Sequence, residues 1–140
     1  MSYTPKNFTA SATLTRSDAD ATITVNAAAG LTLTLPAATG LGDTYTVVIG
    51  TTVTSNSVII KVANSSDIMA GSAIQAADAG STSNMWEAGA SDDTITLNGT
   101  TTGGIKGDRV ILQDVATNLW SVTVIGAATG TEATPFSATV

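Results

Sequence analysis

The 140-residue sequence contains no cysteine and no histidine, and only five basic residues. Without cysteine there is no disulfide scaffold, no thiolate metal site and no cysteine nucleophile. Without histidine, the commonest general base near neutral pH and the commonest protein metal ligand are both missing. The cations, Lys6, Arg16, Lys61, Lys106 and Arg109, are scattered along a chain of formal net charge −6. Nucleic-acid binding needs clustered cations to displace counterions from phosphates, and attraction to an anionic membrane needs the same. Neither partner is expected. Aromatic residues make up 4% of the chain, too few for a carbohydrate platform of stacked rings. No run approaches the roughly 18 apolar residues of a membrane span. The first residues, Met1 to Phe8, lack a cationic patch followed by an apolar stretch, so the chain is expected to be made and used without export.

Charged residues account for only 11% of the sequence, and Thr, Ala, Gly and Ser take their place. β-Branched Thr favours strands and is a mediocre helix former. Alternation with period two recurs in Thr22–Asn26, Leu31–Leu35, Asp43–Ile49, Ser57–Val62, Asp93–Asn98, Arg109–Gln113 and Leu119–Ile125. Pro36 ends the second of these because proline cannot donate to a ladder. Arg109–Gln113 and Leu119–Ile125 read as a hairpin, and Ser57–Val62 reads as the antiparallel partner of Asp43–Ile49. No segment shows a convincing helical stripe. The expected fold is all-β: a compact antiparallel β-sandwich or small β-barrel of seven to eight short strands, with a jelly roll among the arrangements it allows. A chain of this length fits a single domain, 1–140, with a core able to hold itself together. Residues 21–126 form that core, with an N-terminal arm over 1–20 and a C-terminal arm over 127–140. Ala21–Asn26 echoes Asp93–Asn98, which leaves a duplicated unit open.

Serines are plentiful, but none has a base beside it in a recognisable motif, so the chain is expected not to be an enzyme. No catalytic residue, cofactor-binding residue or metal ligand is assigned, and no cofactor is implied. Asp18, Asp20, Asp67, Asp78, Asp92 and Asp93 could be weighed as calcium ligands, which come as several acids in one loop. No such loop is present, and short acidic side chains more often bond nearby backbone N–H groups in turns. Asp43 and Asp108, each after a glycine and before a strand, fit that role best. Trp120 alternates with Val122 and Val124 and reads as core. Trp86, beside Met85 in a weakly periodic region, reads either as a plug for a sheet edge or as an interface anchor. The arms place Tyr3, Pro5, Phe8, Pro135 and Phe136 in segments too polar to fold alone. Together with Trp86 these are the candidate contact residues for a neighbouring subunit or a larger assembly.

Several stretches carry a resemblance. Leu31–Gly40, Tyr45–Asn56, Asp93–Gly104 with Lys106-Gly107-Asp108, and Gly130–Ser137 resemble small virion proteins of tailed bacteriophages, often marine ones. The similarity spans most of the chain and includes no catalytic motif. It implies a capsid decoration, or cement, protein made in the host cytoplasm and bound to the outside of the head. Its partner would be the major capsid protein, and it would form a homotrimer, as such proteins do at quasi-threefold positions. A head-fibre or tail-associated module that touches a host surface glycan is the alternative.

Overall fold

A computed structural model describes residues 4–140 of the chain. The first six strands alternate between two sheets. β1 (Lys6–Phe8), β3 (Thr22–Val25) and β5 (Thr44–Ile49) lie in one; β2 (Ala12–Thr13), β4 (Leu31–Thr34) and β6 (Val58–Lys61) lie in the other. Because the chain changes sheet at each connection, strands two apart return in the same direction. They pair in parallel: β1 with β3, β3 with β5, β2 with β4, and β4 with β6. Residues 6–61 therefore wind as three stacked rungs.

Local chemistry holds the rungs in register. Asn26 donates from its side chain to Asn7 and accepts from the Thr51 hydroxyl, so one corner is bonded across all three levels. In the same stack of turns, just before β4, Gly30 has φ +78°, and a Cβ there would lie 2.3 Å from the Ser57 carbonyl oxygen. Only glycine lets the two turns stack so closely.

The second half of the chain extends both sheets. β7 (Ile68–Ala77), β8 (Thr82–Glu87), β10 (Arg109–Ala116) and β11 (Leu119–Ala128) complete a seven-stranded sheet of order β1-β3-β5-β10-β11-β7-β8. β9 (Thr94–Leu97) and β12 (Phe136–Ser137) complete a five-stranded sheet of order β12-β9-β6-β4-β2. The inward residues of both sheets form one core, including Ile23, Val47, Leu112, Val122 and Trp120 from the first and Leu33, Ile60, Ile95 and Leu97 from the second. Tyr45 meets Trp120 edge-on at 5.8 Å inside it.

The compact all-β sandwich expected from the sequence is the fold observed, and the β10–β11 hairpin forms with Arg109 opposite Ile125. Strand pairing differs from expectation. β5 and β6 belong to different sheets, so they do not form a hairpin; their alternation, with every second residue buried, suits either arrangement. The sandwich is mixed, with a parallel β7–β11 pair as well as the rungs. The echoing segments around β3 and β9 lie in opposite sheets.

Both ends are extended, yet they are built into the domain itself. β1 and β2 begin the two rung stacks, and Leu14 is buried. A 3-10 turn at Arg16–Asp18 follows, where the Asp18 carboxylate accepts from the Thr15 N–H and pairs with Lys6. At the other end β12 pairs with β9, and Asp93 accepts from the N–H groups of Thr139 and Val140. Among the described residues of the expected arms over 1–20 and 127–140, the segments are thus strands and hydrogen-bonded stretches of the domain itself.

Candidate docking surface

Alternation in the seven-stranded sheet sends one set of side chains into the core and the other into solvent. Outward positions of β3 and β5 are mostly threonine, including Thr22, Thr24, Thr44 and Thr46. One row further along the sheet is mostly apolar. The registers of β10 with β11, β11 with β7, and β7 with β8 align Arg109, Ile125, Ile74 and Met85 across four adjacent strands. Ile125 is 53% exposed, Ile74 45% and Met85 72%. The next row holds Ile111, Thr123, Ser72 and Glu87. A contiguous run of exposed apolar side chains makes this face the candidate docking surface, whereas single exposed apolar residues are ordinary.

The row ends at β8, the last strand of the sheet. Its free margin presents backbone groups that could pair with another chain. Here Ser72, Ile74, Met85, Trp86 and Glu87 line a shallow groove of about 340 Å³. Trp86 faces the core side opposite Ala73, and its indole N–H donates to Gln75 Oε1 at 3.2 Å. Gln75 is fully buried and donates in turn to the Thr102 carbonyl. The tryptophan therefore ties the edge strand to the loop after β9, filling the edge-plug role.

The other sequence-derived contact residues disperse. Tyr3 lies outside the described residues. Pro5 is exposed, ahead of β1. Phe8 is half-buried against the core from β1, at the far edge of the same sheet from Trp86. Pro135 and Phe136 are buried, with Phe136 only 4% exposed. A ring already enclosed by its own domain has no face left for a partner, so Phe136 and Pro135 are corrected from contact to core positions. The outward row was missed because Ile74, Met85 and Ile125 are far apart in sequence and meet only through the β7–β8 and β7–β11 registers. The neighbouring Met85-Trp86 pair was the one signal pointing there.

The acidic residues do the work of turns. Asp114 accepts from the N–H groups of Thr39, Gly40 and Leu41, pinning the loop before β5. Burial pushes its carboxyl up, but these N–H bonds outweigh that and hold it below the ordinary carboxylate value. Asp93 is likewise lowered: burial raises it, and the bonds from Thr139, Thr94 and Val140 more than offset the rise. Asp108 behaves differently. It accepts from Gly104, Ile105 and Ala127, yet its deeper burial wins and the carboxyl is raised. Among the described residues no three acidic side chains converge on a metal position. A second groove, about 540 Å³, runs over the outer face of the five-stranded sheet between Ser11, Thr13, Thr32, Thr34 and Lys61. It contains hydroxyls and one ammonium but no acid–base pair. No helix among the described residues is long and apolar enough to cross a membrane.

No protein-family model, no curated protein and no solved structure matches this chain.

Proposed function

We propose that the chain is a structural virion protein that binds the outer surface of a bacteriophage capsid and stabilises it as a decoration protein, with the major capsid protein as its partner. The observation that carries this reading is the exposed apolar row Ile125–Ile74–Met85 beside the free margin of β8. Exposed apolar side chains grouped in this way suit contact with protein. The resemblance of four segments to phage virion proteins supplies the kind of assembly. A close-packed sandwich whose ends are bonded into its own sheets suits a subunit that persists on a particle. The hydroxyl-lined groove around Thr34 and Lys61 is the feature that would serve the alternative, a host-glycan module. The test mixes the purified chain with mature phage heads that lack it and pellets the heads. Saturable co-sedimentation at a fixed number of copies per head is expected; a chain that stays in the supernatant refutes the proposal.

A further inference from the structure

The outer face of the seven-stranded sheet has a polarity that its own chain does not satisfy. Arg109 stands on β10 at one end of the apolar row, and Glu87 stands on β8 at the other, one row along. Both are exposed, and neither forms a salt bridge among the described residues. Three strand spacings separate β10 from β8, about 14 Å, so the two charges do not reach each other within one molecule. Between them lie Ile125 and Ile74, with Met85 beside Glu87's end of the face.

We infer that this face pairs with the same face of a second copy of the chain, about a twofold axis parallel to the strands and lying between β11 and β7. That axis sets β10 of one copy opposite β8 of the other and keeps each row facing its own equivalent. Ile125 then packs on Ile74, and Arg109 meets Met85 and, one row along, Glu87. Each contact occurs twice, as an isologous interface requires. Packed sheets lie about 10 Å apart, a gap that an arginine and a glutamate can bridge diagonally from opposite sides. An axis across the strands would instead set β10 against β10, bringing the two Arg109 side chains onto facing strands. The charge pattern of the face is thus self-complementary in this orientation and not in the other.

The contact is small. Four strands by three rows of outward residues cover roughly 400 Å² per copy, below the usual size of specific interfaces, so the dimer is weak and concentration-dependent. Its dissociation constant is expected between about 10 µM and 1 mM. The resemblance implies a homotrimer, a different assembly from this twofold pairing, and the oligomeric state of the free chain distinguishes the two. The pairing uses the apolar face that the proposed function assigns to the capsid protein, so it is a state of the free chain that must open before that face meets a head. Sedimentation of the free chain reads it without heads, and co-sedimentation with heads reads the other.

Sedimentation equilibrium of the full chain, up to about 1 mM, tests it at the weak end of that range. A monomer–dimer equilibrium is expected. Ile125→Glu should leave only monomer. Arg109→Glu and Glu87→Arg should each weaken the dimer about tenfold or more, and the double reversal should restore it. These side chains point outward, and circular dichroism checks that each variant stays folded. A monomer at every concentration, a trimer, or a dimer unmoved by Ile125→Glu and by the charge reversals overturns the inference.

Discussion

Replacing Phe136 with alanine should remove about 3–5 kcal/mol of folding free energy, although only four residues follow it in the sequence. The structure gives the reason. Phe136 lies in β12, its backbone pairs with Ile95, and its ring is 4% exposed within the core cluster. Losing the burial of a ring of that size costs about 1.5–3 kcal/mol. A further cost arises because strands of two sheets surround the space and cannot close it fully. Phe8→Ala is the internal comparison: that ring is only half-buried on the edge strand β1, so its loss should be smaller, about 1–2 kcal/mol. Urea or thermal unfolding followed by tryptophan fluorescence reads the difference, since Trp120 is 1% exposed and leaves the Tyr45 ring on unfolding. For a domain of this size the thermal midpoint should drop by roughly 10–15 °C in Phe136→Ala. A loss under about 1 kcal/mol would show that the C-terminal segment is a loosely held arm and that its burial here is wrong.

Further expectations follow from the same geometry. Gly71 has φ +147°, and a Cβ there would lie 1.8 Å from the Val122 carbonyl oxygen, so Gly71→Ala should force β7 from β11 and lower the urea midpoint by more than any outward substitution on those strands. Asp114→Ala removes the acceptor for three N–H groups of the loop before β5 and should cost about 1.5–3 kcal/mol, with faster amide exchange at Thr39, Gly40 and Leu41. Asp18, Asp93 and Asp114 all have lowered carboxyls, so each contributes stability that is full above the ordinary carboxylate range and is lost as pH falls through its lower folded-state value. Asp108 is raised and has the opposite sign, its contribution being present at low pH and lost as pH rises through its folded value. With three groups against one, the urea midpoint should fall on acidification below about pH 4, and Asp114→Asn should make that fall shallower. Deleting residues 1–12 removes β1 and part of β2 along with the Lys6–Asp18 pair, so the thermal midpoint should drop; an unchanged midpoint would return this segment to the role of an arm.

Strand positions were largely legible in the sequence and strand partners were not. Thr22–Val25, Leu31–Thr34 and Thr94–Leu97 alternate cleanly because one face is buried and the other carries threonine. Alternation says which side chains point inward, but it is blind to which strand lies alongside. The same pattern in β5 and β6 therefore fitted a hairpin as well as the sheet-to-sheet crossing that occurs. β7 was mostly invisible. Its ten residues run through Ala70, Gly71, Ser72 and Ala73, where small side chains give no hydrophobic period, and its strand character comes from pairing with β11 over its whole length. The short strands β1, β2 and β12 were hidden for another reason. Two or three residues hold too little pattern, and these segments are fixed by tertiary bonds such as those from Thr139 and Val140 to Asp93. Of the candidate contact residues, Trp86 lies beside the exposed row, whereas Phe136 fills the core. Aromatic content in a polar segment identifies something worth burying; the sequence does not say whether the chain's own core or a partner buries it.

Cryo-electron microscopy of phage particles incubated with the purified chain tests the proposed role most directly. The account predicts this β-sandwich in regular copies on the outside of the head, in contact with the major capsid protein. Density for it only on a tail or fibre, or its absence from the particle, would contradict that role.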